Sequence, residues 1–400
     1  MEPKKSDRQV RPLDNITVVD LTQVIAGPFG SMMLGDYGAE VIKIEAPRRG
    51  DTARTSYPVP QYFDTLNRNK QSISIDLKRS DGQAIAHSLL KDADVLIENT
   101  KPGRIEDFGL DYETVRELNP NIVMCSITGF GRGSPYEGYT AMDKVIQAMS
   151  GIMSLQGPED GPPIWSGLPI GDLAASLYAV QSILAALFAR SEGRIESEWI
   201  EVPMFDAAIS LLGPRAGYSF GISDPYPRGG RRNPLGEPNG TFACQDEPII
   251  VQASGQALWH DFCQAIDRED LIEDERFKTR DDRMEHTSKL LEIIEPILAS
   301  KPADEWIEIF RQHEVPTGPV NDTKSVWEDE HVQERGLKIT MEREGREDAE
   351  VVDHPVHFSE LVADARSPPP EVGGDTRQLL QNAGYDESDI ERFFSDDVVY

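Results

Sequence analysis

The sequence predicts an α/β protein: helices wound around a largely parallel sheet, followed by a smaller α+β unit. Three observations carry this. Short apolar runs alternate with helical patterns through the first half of the chain. At 400 residues the chain is longer than one hydrophobic core usually supports. A glycine- and proline-rich break, GPRAGYSFGISDPYPRGGRRNPLGEPNG, then separates that half from a second set of periodic segments.

In chain order, ITVVDL (16–21) reads as a strand, 29–37 as a helix and EVIKIEA (40–46) as the next strand. SISIDL (72–77), a helix through 81–93, DVLIEN (94–99), a helix closing at Pro120, and NIVMCSIT (121–128) continue the alternation. Such runs pair as right-handed βαβ units, and the strand ends carry the loops where ligands bind. Residues 212–242 look too irregular for helix or strand and read as a linker plus a functional loop. Beyond it come a strand at 248–254, helices at 257–266, 289–300 and from Ala303, and a turn-rich crossing at 314–322. The tail holds a strand-like VVDHPVHF and a helix at 375–385, and is a candidate to return to the first domain. The expected domains are therefore 1–211, a linker at 212–242, 243–325, and a returning segment at 326–400.

The formal net charge is -30, from 70 acidic against 40 basic residues, which excludes a broad nucleic-acid surface. Only 13 of those basic residues are lysines. An acidic surface poor in lysine suits concentrated salt, as in halophiles, although an ordinary acidic cytosolic protein has the same sign. Cys125, Cys244 and Cys263 form no C-x-x-C pair and read as reduced thiols. The N-terminal MEPKKSDRQV has no apolar run behind it, and the apolar run at 173–189 is short and interrupted by Ser176, Gln181 and Ser182. The expectation is a soluble cytoplasmic protein.

No G-x-G-x-x-G, P-loop, G-x-S-x-G or H-E-x-x-H motif is present, and no histidine lies between His87 and His260. A carboxylate is left as the reactive group. Asp172, in GLPIGDLAASL, precedes a long apolar helical pattern, so an N-cap position is expected. Helix N–H groups and the dipole there would lower its basicity and keep it ionised as a nucleophile. A plain capping role stays open. Cations gather at three strand ends: Arg48, Arg49 and Arg54; Arg68, Lys70 and Lys78; Lys101 and Arg104. They could form one positive rim for a phosphorylated cofactor, or be scattered surface charges.

Together these motifs resemble the family III CoA-transferases, the formyl-CoA transferase, CaiB and BaiF group. The matching stretches include VVDLTQVIAGPFGSMMLGDYGAEVIKIEAPRRGD, NRNKQSISIDLK, ADVLIENTKPG, QAMSGIMSLQG, GLPIGDLAASLYAVQSILAAL and EVPTGPVND, in the family's order over nearly the whole chain. The resemblance implies a Rossmann-like large domain built from both chain ends, a small domain from the middle, and an interlocked homodimer. It implies CoA and acyl-CoA as substrates, with no permanently bound cofactor and no metal. Asp172 matches the family's catalytic aspartate, and Gly229 and Gly230 its mobile glycine-bearing loop. Contacts to CoA would fall at Ala26, at Ile75, Asp76, Leu77 and Lys78, at Asn99, Thr100 and Lys101, and at Thr140 and Asp143. Ala46 and Asp107 stand where some members carry a phosphate-binding arginine; Arg48, Arg49 and Arg104 are candidates for the missing charge. Ile25 replaces the glutamine of formyl-CoA transferase. Arg228, Arg231 and Arg232 could hold the second carboxylate of a dicarboxylic acyl chain, or be solvated or hold the partner subunit. The expected reaction moves CoA from succinyl-CoA to a C4–C5 dicarboxylate such as mesaconate. A racemase or acyl-CoA isomerase and a non-catalytic CoA-binding module are the alternatives; for the racemase, Met142 replaces its histidine.

Overall fold

A computed structural model describes residues 10–57, 59–222 and 224–400. Two compact units emerge. The first comprises Met1–Ser150, Gly167–Leu212 and Glu330–Tyr400; the second Gly151–Ser166 and Gly213–Asp329. The stretch Gly151–Ser166, expected with the first domain, thus belongs to the second unit.

In the first unit six strands form one sheet: β1 (Thr17–Leu21), β2 (Glu40–Glu45), β3 (Lys70–Ser74), β4 (Val95–Glu98), β5 (Val123–Thr128) and β6 (Glu198–Pro203). Their order is β3-β2-β1-β4-β5-β6 and every pairing is parallel. β1 is central, Val18 facing both Val41 and Val95. With helices on its faces the central strands are buried on both sides, which is why they read as mainly apolar runs. The order reverses between β1 and β4, and the crevice beyond the carboxyl ends there is where such sheets bind ligands.

Three segments depart from expectation. β6, EWIEVP, went unread because its half-buried edge position tolerates Glu198 and Glu201. β3 begins at Lys70, two residues early, because Lys70 and Gln71 pair with Val41 and Ile42, and it ends before Ile75, which bridges Val399. The tail adds the unread helix Glu387–Ser395, and Leu379, Leu380, Ile390, Phe393, Val398 and Val399 join the core formed by Val19, Ile42 and Leu96. The strands β10 (Lys338–Met341) and β11 (Ala349–Val352) pair antiparallel in the same unit.

The second unit is a three-stranded antiparallel sheet, β7 (Asn239–Phe242), β8 (Ile249–Gln252) and β9 (Thr317–Pro319). Helices Gln256–Ala265, Thr287–Leu298 and Ala303–Gln312 bring Trp259, Phe262, Trp306 and Phe310 into its core. The break at 212–242 is not wholly irregular: it holds helix Pro214–Gly221 and strand β7. Glycines hid that helix, but Pro214 at its start is pre-organised for a first turn.

Helix Ile170–Ser191 has 22 residues and a mean hydropathy of 1.5 over its most apolar window, so the expectation that it is too short to cross a membrane fails on length. Its buried stripe of Ala175, Ala179 and Ile183 and its hydrogen bond to Ala26 make it a core helix of the first unit.

Candidate active site

At the switch point β1 ends at Leu21, and Thr22 to Ile25 lead into helix Ala26–Asp36. Asn99, just past β4, clamps this turn: its Oδ1 accepts Gln23 N–H at 2.9 Å and its Nδ2 donates to Gln23 O at 2.8 Å. Thr100 N–H and Oγ1 both donate to Glu98, each at 2.7 Å. The side chains of Asn99 and Thr100 are thus engaged in shaping the crevice. Pro102, Thr128, Phe130 and Tyr139 line a narrow cleft just beyond β4 and β5.

Asp172 is the third residue of helix Ile170–Ser191, not its N-cap; Pro169 occupies that place and makes no side-chain cap. The capping work falls to Asp143, the first residue of helix Asp143–Met149, whose Oδ1 accepts Gly171 N–H at 2.7 Å. Its Oδ2 accepts Gln147 Nε2 at 2.6 Å, and Gln147 reaches on to Leu168 O at 2.8 Å. Only glycine fits at 171, since a Cβ there would meet Ile146 Cγ2 at 2.9 Å and Asp143 Oδ1 at 3.1 Å. A carboxylate from another helix therefore satisfies the helix start and leaves the part-buried Asp172 side chain free of that duty.

Its acidity differs from expectation. Burial, and then the neighbouring Asp143 charge, push the Asp172 carboxyl up to about 7. The helix dipole was expected to dominate, but desolvation beside a like charge wins. Tyr57 sits within the field of Asp172; its ring stacks on Tyr62 at 3.6 Å, and burial, Tyr62 and the Asp172 and Asp51 charges push its hydroxyl up to about 12. No sequence signal singled out Tyr57.

The expected cationic rim is largely consumed inside the fold. Arg54 pairs with Glu45 at 2.7 Å, Arg68 with Asp36 at 2.6 Å and Lys70 with Asp20 at 3.0 Å, all in the interior. Arg48 pairs with Asp397 at 2.8 Å on the surface, and Arg104 with Asp107 at 3.7 Å. Arg49, Lys78 and Lys101 are exposed. Ile75 and Leu77 point into the core, so neither side chain can touch a ligand; Asp76 and Lys78 lie outward of them. Ala26 is buried at the helix start, and Thr140 is exposed just before Asp143.

Within the second unit, Gly229 is required by close approach: a Cβ would stand 2.1 Å from Arg232 O. Gly230 takes φ 60 and rests on Gly157 to Glu159. Arg231 and Arg232 share Glu295 at 2.7 and 3.7 Å, so both already have a carboxylate. Arg228 Nε is buried without a hydrogen-bond partner among the described residues.

Also missed was Lys43, a charge inside the buried strand VIKIE. A lysine there must be paired, and that is the signal that could have found it. Its Nζ meets Asp51 Oδ2 at 3.1 Å. Among the described residues no group of three or more His, Cys, Asp or Glu could hold a metal ion.

Residues 13–376 match the CoA-transferase family III. The chain belongs to that family. It is 32% identical over 404 residues to the succinyl-CoA:glutarate CoA-transferase of Mus musculus, covering 99% of this chain and 92% of that protein. It is 31% identical to the succinyl-CoA:mesaconate CoA-transferase of Haloarcula hispanica, covering 93% and 96%. The crystal structure of a CAIB/BAIF family protein from Brucella suis superposes with a TM-score of 0.86 at 30% identity, covering 94% and 100%. The protein is thus a CoA-transferase, an enzyme of acyl-CoA metabolism whose substrates are CoA thioesters.

Proposed function

We propose that this enzyme moves CoA from succinyl-CoA to a C4–C5 dicarboxylate such as mesaconate, with Asp172 as the nucleophile. One observation carries the mechanistic part. Asp172 begins a helix whose capping is done by Asp143, leaving a part-buried carboxylate with no structural task. The names of the mouse and Haloarcula hispanica relatives support the substrate part, since both pair a succinyl donor with a dicarboxylic acceptor.

In the proposed sequence the Asp172 carboxylate attacks the thioester carbonyl carbon. The resulting oxyanion collapses, breaking the C–S bond and giving an aspartyl-acyl anhydride and CoA thiolate. The thiolate attacks the aspartyl carbonyl, releasing the donor acid and leaving an aspartyl-CoA thioester. An acceptor carboxylate attacks that thioester, expelling the thiolate and forming a second anhydride. The thiolate then attacks the acceptor's carbonyl, which yields the new acyl-CoA and regenerates the Asp172 carboxylate. No net proton is consumed, and an ionised aspartate is one requirement. At a value of about 7, Asp172 meets it from neutral pH upward.

Gly229 and Gly230 are proposed as catalytic residues of a glycine-bearing loop, and Ala26, Asp76, Lys78, Lys101, Arg48, Arg49, Arg104 and Thr140 as candidates around CoA. A homodimer accounts for the exposed Leu177, Tyr178 and Phe188 on the long helix. Buried reduced thiols and the acidic composition fit a cytoplasmic setting, with activity retained in concentrated salt.

The test is to incubate the protein with succinyl-CoA and a pool of free carboxylic acids in molar KCl and separate the CoA esters. A new ester matching one dicarboxylic acid is expected. Unchanged succinyl-CoA, with α-proton exchange into a branched acyl-CoA in deuterated water, would replace this reading by the isomerase one.

A further inference from the structure

We propose that Asp51 and Lys43 are positioning residues for acyl transfer, acting by holding the turn at Val24 in a conformation valine does not adopt unaided. The proposal rests on the reading of Asp172 as nucleophile. Val24 has φ 71, in the left-handed region, where a β-branched residue is an outlier. Such a residue persists only where its surroundings over-determine it, and strain of this kind clusters at functional sites.

The surroundings here are well defined. Val24 N–H donates to Asp51 Oδ1 at 3.0 Å, and that oxygen also accepts Ala53 N–H at 2.9 Å. The other Asp51 oxygen meets Lys43 Nζ at 3.1 Å, with both side chains fully buried. Lys43 Nζ also donates to Thr22 O at 2.8 Å, so one ammonium grips the chain before Val24 and the carboxylate that holds Val24 itself. Asp51 N–H donates to Glu45 Oε2 at 2.7 Å, which fixes the aspartate's own backbone. Asn99 locks Gln23 from the far side.

This device leads to the first turns of the helix that carries Asp172. The turn delivers Ala26, whose carbonyl accepts Ser176 Oγ at 2.5 Å, and the same hydroxyl lies 2.8 Å from the backbone carbonyl of Asp172, the two carbonyls sharing its one proton. Asp51 leads through Ala53–Ser56 to Tyr57, which lies in the field of Asp172. Folding alone does not call for a valine in this conformation, since glycine would take it without strain. The pair therefore fixes the turn that is tied through Ala26 and Ser176 to the helix of the nucleophile, and the strained residue keeps that turn rigid.

Val24→Gly removes the strain while keeping the N–H. It is expected to hold or raise the Tm and to lower kcat by about tenfold or more, because small misplacements of reacting groups are costly. The KM for the CoA ester should stay within about twofold, since the turn acts on the bond-making step rather than on uniform binding. Val24→Ala, which still resists the left-handed region, should recover most of the rate. Asp51→Asn keeps an oxygen for Val24 N–H but loses the ion pair, and should show the same loss confined to kcat. Wild-type kcat in Val24→Gly, or equal impairment in Val24→Ala, would overturn the proposal. If the wild type transfers CoA, Asp172→Ala does not, and Val24→Gly is unimpaired, only this inference fails. A wild type without CoA transfer refutes the reading of Asp172 and this inference with it.

Discussion

Two pairs of acidic side chains in the first unit meet opposite fates. Asp20 and Asp51 lie under the carboxyl ends of β1 and β2, fully buried, with Lys43 and Lys70 between and beside them. Burial alone would push the Asp20 carboxyl up, but Lys43, Lys70 and the Ser31 and Thr22 hydroxyls hold it well below the usual carboxylate range. At the other helix start Asp143 accepts the N–H of Gly171, next in the chain to Asp172, and there burial and the like charge push Asp172 up to about 7. The difference lies in the partners. Where cations were built in, the carboxylate is held well below the usual range; where another carboxylate was placed, one is pushed up.

The comparison breaks most visibly at Asp172. Asp172→Asn should cost on the order of 10³-fold or more in CoA transfer, as loss of a covalent nucleophile does. The same variant should melt higher than wild type at pH 8. Between the ordinary aspartate range and about 7 the folded protein holds a proton that the unfolded chain has lost, so stability falls as pH rises through that window. Asparagine has no such loss, and an unchanged Tm difference between pH 5 and pH 8 would contradict the assignment.

Asp20→Asn tests the other pair. Removing one member of a buried ionic network leaves uncompensated charge, which typically costs about 3–5 kcal/mol. The urea midpoint should fall accordingly; a loss under about 1 kcal/mol would mean the network is not the support it looks to be.

Asp143→Asn is the finest probe. It keeps an oxygen for Gly171 N–H but removes the like charge, so the acid limb of the pH–rate profile should move down by about one unit, burial remaining as the larger cause. An unmoved limb would assign the shift to burial alone.

Much of the fold was legible in the chain. β1, β2, β4 and β5 are buried on both faces, and such strands read as mainly apolar runs, with Asp20, Lys43 and Glu98 as buried exceptions. β6 was illegible because its residues are only half-buried and need not be apolar. Asp172 could be singled out as a residue at a helix start, but Tyr57 could not, since the Asp172 charge that acts on it belongs to a residue far off in the chain. The cations at strand ends misled for a related reason: a sequence shows that Arg54, Arg68 and Lys70 are charged, not that Glu45, Asp36 and Asp20 wait for them across the sheet.

What the sequence by itself determined is the order of strands and helices, the family, and one carboxylate opening an apolar helix. These follow from local periodicity and short motifs, which survive without knowledge of long-range contacts. Tertiary structure alone decided which aspartate caps that helix, which one is raised in pKa, and which lysines are spent in the core. Burial and the distance between charges set those outcomes, and both arise only when residues far apart in the chain are brought together.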